Sequence, residues 1–226
     1  MKYLNASTKD ILLATDFSQT SQRAFDASVR LARAFGAKLH LLHVNEEDQV
    51  FEGHDSQEIA TFLETIAKRR ANWMQRFEEA AKEAGVDAVT LMRDGQPADV
   101  ILEEAERIDA GVIAMGTQGS HGLGNMLPGS VARKVLRRSE RPILIVSRVA
   151  GVAPLTFEGT FENIVYPTDF SAASRAGLEV CETLLDKTGA KLTLINVLRM
   201  PRIIPVLPGE AMIAVPVKSV DHLTER

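Results

Sequence analysis

Gly111-Val112-Ile113-Ala114-Met115-Gly116-Thr117-Gln118-Gly119, answered further on by Gly129-Ser130-Val131-Ala132-Arg133-Lys134-Val135-Leu136, is the stretch that decides the fold. Residues 111–115 form a short apolar run and read as a buried strand. Residues 131–136 read as a helix that opens at Gly129-Ser130. Between strand and helix the chain is ruled by glycine. Glycines let backbone amides approach an anion with no Cβ in the way. A helix start adds unpaired N–H groups and the positive end of the helix dipole. In that order the three pieces make a place to hold phosphate.

Working outward, apolar runs alternate with amphipathic ones. The pattern predicts strand 10–15, helix 19–35, strand 38–44, helix 56–84, strand 87–92, helix 97–107, strand 111–115, helix 129–138 and strand 142–147. Such alternation predicts an α/β protein with a parallel sheet. Asp16 and Ser18 stand where the first helix begins, and Gly36 stands where a C′ glycine closes one. Pro97 falls in the first turn of its helix, where a missing N–H costs little.

The chain also repeats itself. Ile11-Leu12-Leu13-Ala14-Thr15-Asp16-Phe17-Ser18 matches Ile164-Val165-Tyr166-Pro167-Thr168-Asp169-Phe170-Ser171, and the match runs without a gap to Val44 against Val197. The first copy has room for a full unit. The second has only strand, helix and strand, then a segment broken by Pro201, Pro205, Pro208 and Pro216. The reading is a complete domain at 1–148, a linker at 149–162 and a truncated second repeat at 163–226. Two strands and one helix do not bury both sheet faces. The first domain, the proline-rich tail or a second chain must cover the rest, and the sequence leaves all three open.

Composition narrows the class. A 45% hydrophobic and 25% charged content is that of a soluble globular chain. A net charge of −4 gives no drive toward nucleic acid or anionic membrane. No apolar run reaches the roughly 18 residues of a membrane span. The single Cys181, read as a buried structural thiol, forms no internal disulfide, and Met1–Asn5 lack signal-peptide character. A cytoplasmic setting is expected.

Open parallel sheets bind ligands at the carboxyl ends of their strands, where strand order reverses. Asp16, Val44 and Gly116 are expected to meet there. Asp16 is suited to accept ribose hydroxyls and equally to cap a helix, since Asp169 recurs where no glycine loop follows. Val44 offers backbone groups and a small apolar face. Gly116, Gly119 and Gly129 read as an anion loop or as turn residues. Ser130 reads as a hydroxyl donor and a cap. His121 in the loop reads as solvated; His40 and His43 read as packing or strand-edge residues. Glu46-Glu47-Asp48 reads as a solvated loop or a metal site. No P-loop, dinucleotide fingerprint, zinc spacing or nucleophile elbow is present, and no Lys or Arg lies between Gly116 and Ser130. Arg133 and Lys134 lie one turn into the helix. No nucleophile with its base is visible.

The spacing G-x2-G-x9-G-[ST] at Gly116, Gly119, Gly129 and Ser130 resembles the ATP-binding signature of universal stress proteins. Thr15-Asp16-Phe17-Ser18, Leu41-Leu42-His43-Val44 and Arg141-Pro142-Ile143-Leu144-Ile145-Val146 resemble the same family. The resemblance covers about residues 9–148, and its start recurs at about 162–198. It implies a Rossmann-like open parallel five-stranded sheet, order 3-2-1-4-5, with helices on both faces. It implies Thr15 and Asp16 beside adenosine, the Val44 backbone facing adenine, Met115 and Gly116 beginning the pocket, and Gly119, Gly129, Ser130 and Val131 holding phosphates. ATP, often with Mg or Mn, is the implied ligand; a homodimer through strand 143–147 is the implied assembly. Ala14 stands where many members have a proline, which Pro167 keeps. The second copy lacks every signature glycine, so one nucleotide per chain is expected. The expected role is a stress-response regulator whose nucleotide occupancy alters a protein partner contact. The alternatives are a slow ATPase or autophosphorylating enzyme and a nucleotide-free dimeric interaction module.

Overall fold

A computed structural model describes residues 8–46, 56–117, 129–147 and 160–197. The elements are β1 (Asp10–Ala14), α1 (Gln19–Phe35), β2 (Lys38–Asn45), α2 (Ser56–Glu83), β3 (Ala88–Asp94), α3 (Pro97–Arg107), β4 (Val112–Gly116), α4 (Ser130–Arg138) and β5 (Ile143–Val146). They are followed by β6 (Asn163–Pro167), α5 (Ala172–Thr188) and β7 (Lys191–Ile195). The first nine elements form the expected five-stranded sheet, order β3-β2-β1-β4-β5, with every neighbouring pair parallel.

Consecutive apolar residues explain why both faces are covered. Ile11, Leu12 and Leu13 of β1 are all fully buried, as a strand sandwiched between helix layers requires. Ile11, Leu13, Leu39, Leu41 and Ala114 pack with Phe25 and Val29 of α1 and with Met74, Phe77 and Ala81 of α2. Leu12, Leu42, Ile113 and Met115 pack with Ala98 and Ile101 of α3 and with Ala132 and Val135 of α4.

The helix ends behave as their residues dictate. Ser18 caps α1 by accepting the Ser21 N–H at 3.2 Å. Gly36 ends it at φ 62°, a left-handed value that favours glycine. One boundary differs from expectation. β1 ends at Ala14, not at Thr15 or Asp16. Thr15 still donates its N–H to the Leu42 carbonyl at 2.9 Å, but Phe17 adopts φ 63° and turns the chain toward α1.

The second unit is a separate two-stranded parallel sheet, β6-β7, with α5 against it. Tyr166 is buried over Gly177, where an added Cβ would lie 3.3 Å from the ring. The first domain covers part of α5, not the open face of the β6-β7 sheet. Val180 and Leu184 of α5 pack on its core. The Lys187 ammonium sits 5.7 Å from the Phe35 ring centroid, and the Arg30 guanidinium sits 5.0 Å from that of Phe161. On the face opposite Tyr166, Val165 and Ile195 remain 58% and 43% exposed. The proline-rich segment after Val197, and residues 149–159 of the expected linker, lie outside the described residues.

Candidate functional site

The strand order reverses between β1 and β4: β2 and β3 lie to one side of β1, and β4 and β5 to the other. At the carboxyl ends beside that reversal lies a cleft of about 540 Å³. Ala14, Leu42 and Met115 form its floor. Val44, Pro97, Ile101 and Val131 give it an apolar side. Thr15, Asp16, His43, Glu46 and Arg70 bring polar groups, and Gly129 and Ser130 close the far end.

The structure therefore gathers Thr15, Asp16, Val44, Met115, Gly116, Gly129, Ser130 and Val131 around one space. Gly119 and His121 lie outside the described residues, as do Glu47 and Asp48. The Thr15 hydroxyl is engaged in the turn, accepting the Phe17 N–H and donating to Ser21 Oγ, both at 3.1 Å. Asp16 Oδ1 accepts the Ser18 N–H at 3.0 Å, while the residue is exposed at the cleft. So Asp16 supports the helix start and still presents its carboxylate to solvent.

Backbone alternation explains Val44. In a parallel ladder, successive residues of a strand bond alternately to either neighbour. Lys38 and Leu42 of β2 bond toward β1, whereas Leu39 and Asn45 bond toward β3. Val44 therefore turns its N–H and C=O toward β1, beyond the last rung at Thr15. Its peptide groups face the cleft.

Gly116 has a packing reason of its own. An added Cβ would lie 2.9 Å from the Thr20 carbonyl carbon and 3.0 Å from the Ser21 nitrogen. Only glycine lets the end of β4 sit this close to the first turn of α1. Gly129, not Ser130, is the N-cap of α4, and Ser130 is the first helical residue. This corrects the expectation that Ser130 doubles as the cap. The Gly129 N–H donates to the Thr117 carbonyl, which draws the helix start onto the strand end. With glycine at the cap, the cap residue has no side chain to bond the first amides of α4. Those amides carry the helix's partial positive charge.

Two titratable or charged lining residues, His43 and Arg70, carry no site role in the sequence reading, while Glu46, read as part of a solvated loop or a metal site, lines the cleft as well. His43 was assigned to packing or edges, yet it lines the cleft. His40, by contrast, pairs with Asp10 at 2.6 Å (Nε2 to Oδ1). His43 Nδ1 lies 2.8 Å from the Thr15 carbonyl, so Nδ1 carries the proton and donates. Burial holds the His43 pKa below its ordinary value, the Thr15 hydrogen bond works against that, and the nearby Arg70 charge adds to it. Glu46 joins from just beyond the end of β2, and Arg70 from the middle of α2. Arg70 Nη1 donates to Asn45 Oδ1 at 2.9 Å, and Asn45 Nδ2 donates to Asp94 Oδ1 at 2.9 Å. Arg70 interrupts the inward stripe Ile66, Trp73, Met74, Phe77 of α2. A cation in an apolar stripe was the signal available. Among the described residues no group of three or more His, Cys, Asp or Glu is placed to hold a metal ion. Among them, too, no helix is long and apolar enough to cross a membrane.

These features define a doubly wound α/β protein with a mixed polar and apolar crevice at its switch point. The chain belongs to the universal stress protein family, whose model matches residues 7–147. Universal stress protein YxiE of Bacillus subtilis (strain 168) is 35% identical over 146 residues, 60% of this chain and 97% of that protein. Universal stress protein MJ0531 of Methanocaldococcus jannaschii is 31% identical over 141 residues, 62% of this chain and 82% of that protein. Among solved structures, hypothetical protein MJ0577 superposes with a TM-score of 0.53 at 27% identity, covering 64% of this chain and 99% of its own. Solved members of the family also include a universal stress protein in complex with cAMP and the Archaeoglobus fulgidus protein in complex with dAMP. The family match ends before β6.

Proposed function

We propose that this chain is a stress-response regulatory protein that binds one adenine nucleotide, ATP with Mg or Mn, in the cleft between β1 and β4. The observation that carries the reading is the side-chain-free cap at Gly129, which leaves the first amides of α4 open to the space that Asp16 and the Val44 backbone also line. The residues suit each part of such a ligand. The apolar side at Val44, Ile101 and Val131 matches a flat base. Asp16, with Thr15 shaping its turn, matches ribose hydroxyls. Met115 and Gly116 lie at the bottom, and Gly129, Ser130 and, from the signature, Gly119 would meet phosphate. Metal would be held between phosphate oxygens and water, since Mg²⁺ keeps several of its waters.

The role we assign is binding rather than turnover: occupancy of the site alters a contact with a protein partner in the cytoplasm. We assign 1–148 to the nucleotide domain, 149–162 to a linker and 163–226 to a truncated second repeat without a site. A homodimer through 143–147 is consistent with β5, the half-buried margin of the sheet. The alternative of a nucleotide-free interaction module draws support from the open face of β6-β7 with its exposed Val165 and Ile195.

Calorimetry with ATP separates these readings. Gly129→Val puts a branched side chain where phosphate must approach, and ATP affinity should fall at least about a hundredfold, the loss of two charge-assisted hydrogen bonds. Binding equal to the parent protein sinks the assignment. Mass spectrometry of nucleotide released on denaturing the purified protein would name the ligand.

A further inference from the structure

Helix α2 is longer than the domain it covers. Its second half, from Trp73 onward, packs Met74, Phe77 and Ala81 into the core. Its first half does not. From Thr61 to Arg69 every residue is exposed except Ile66, which is half-buried. Phe62 is 56% and Leu63 41% exposed. A stretch of about four turns, roughly 20 Å at 1.5 Å per residue, stands clear of the sheet. Few isolated helices of that length hold together in water without packing an apolar face.

The exposed half has the pattern of a helix with a partner. Phe62, Leu63 and Ile66 fall at i, i+1 and i+4, on the same stripe that Trp73, Met74 and Phe77 bury lower down. Charge is ordered along it. Glu64 comes first, and Lys68 and Arg69 follow. Within one chain, Lys68 Nζ lies 3.8 Å from Glu64, with the two side chains 79% and 72% exposed. So open a pair contributes little by itself and leaves both charges able to face another helix.

We infer that the overhanging half of α2 is a self-association surface, which packs antiparallel on the same segment of a second copy of this chain. The charge order selects both partner and direction. An antiparallel pair with Ile66 near its two-fold axis sets Glu64 of each copy beside Lys68 of the other, brings the two Ile66 side chains together, and lays Phe62 and Leu63 along the stems of Arg70 and Arg69 of the other copy. A parallel pair sets like charges side by side. An isologous contact of this kind needs only one sequence to be complementary to itself. Two such short segments bury less than the roughly 1,600 Å² of a standard interface, so the contact is weak and dynamic. It goes beyond the nucleotide reading and does not depend on it.

Disulfide trapping tests the inference in the full chain with Cys181→Ser as background. Ile66→Cys lies near the axis, and mild oxidation should yield a covalent dimer on a non-reducing gel. Gln57→Cys lies at one end, where antiparallel packing holds the two copies about 27 Å apart along the helix. Its dimer yield should be at least about tenfold lower. Adding Phe62→Lys, which removes the ring and sets a cation level with Arg70 of the other copy, to Ile66→Cys should cut the yield by about tenfold, the effect of losing about 1.4 kcal/mol of contact energy. Circular dichroism of each variant confirms that the exposed substitutions leave the fold intact. Should Ile66→Cys refuse to fold, Thr65→Cys, exposed and one residue away, takes its place. Equal linking at 57 and 66 overturns the antiparallel arrangement. No linking at 66, or linking untouched by Phe62→Lys, overturns self-association and leaves the stripe to a different partner.

Discussion

Thr15-Asp16-Phe17-Ser18 and Thr168-Asp169-Phe170-Ser171 build the same turn in very different surroundings. The Phe N–H reaches the Thr Oγ1 at 3.1 Å in one and 3.0 Å in the other. The Ser N–H reaches the Asp Oδ1 at 3.0 and 2.9 Å. Phe17 and Phe170 take φ values of 63° and 60°. Even the residue that closes the turn from the next strand corresponds. His43 donates to the Thr15 carbonyl at 2.8 Å, and Asn196, its counterpart in the repeat, donates to the Thr168 carbonyl at 2.6 Å. Around Phe17 lie His43, Trp73 and Phe77, with ring centroids at 4.5, 6.4 and 6.2 Å. Phe170 is 68% exposed. The tetrapeptide makes a helix start wherever it occurs. It makes the edge of a cleft only where β4, α2 and α4 surround it.

The phenylalanines offer the most forceful way to break this comparison. Phe17→Ala removes a ring from an aromatic cluster, and urea denaturation should show a loss of about 2 kcal/mol, below the range for a fully buried ring. Phe170→Ala should change stability by no more than about 0.5 kcal/mol, as expected at an exposed site. Equal losses would mean that the second unit is packed by something beyond the described residues.

The aspartates sharpen it. Asp16→Ala and Asp169→Ala should both speed amide exchange at the serine two residues on, since each removes the same acceptor. Only Asp16→Ala should weaken ATP, by about tenfold for one lost hydrogen bond to a charged group. If the Asp169 variant also lost affinity, a site in the second unit would have to be considered. The Asp169 carboxyl sits below its usual range because Ser171 and Ser174 hydrogen-bond its charged form, which marks the turn itself as the cause.

The smallest effect concerns pH and distinguishes the two closing residues. The folded His43 pKa is lowered below 6.5, first by burial. The unfolded chain therefore binds the proton more readily, and stability should fall as pH drops below about 6.5. His43→Asn, the residue the repeat already uses, should keep the hydrogen bond and flatten the melting temperature between pH 7.5 and 5.5. An unchanged slope would assign the pH response elsewhere. Asp26 is one source of an opposing slope: burial raises its pKa to about 6 against the pull of Arg23 and Arg30. Its contribution to stability therefore increases as pH falls from 6 toward 4.

Much of the fold was legible because its signals are local. The helix at Gln19–Phe35 has its serine cap and its terminal glycine within the segment itself. The strands are apolar runs of the right length, and Pro97 marks a helix start. The candidate site was legible where it consists of backbone: the helix start at Gly129-Ser130 falls where a strand, a glycine-ruled stretch and a helix follow one another, and Val44 falls near the end of β2. It was illegible where side chains arrive from afar. Arg70 reaches the cleft only because α2 runs back over β2, and nothing in its neighbours names Asn45 as its partner. His43 looked only like a residue of β2, because its partner, the Thr15 carbonyl just beyond β1, is 28 residues away in sequence. Ser130 looked like a cap because serine favours that position, but the turn from β4 placed the helix start one residue earlier.

The amino-acid order by itself determined the alternation of elements, the repeated turn and the serine-capped, glycine-closed first helix, since each depends on torsion preferences and hydrogen bonds within a few residues. Which of the two identical turns became part of a crevice was decided only in three dimensions. Burial, a shifted histidine and a gathered arginine are properties of the space between elements, and that space exists only once five strands have assembled side by side.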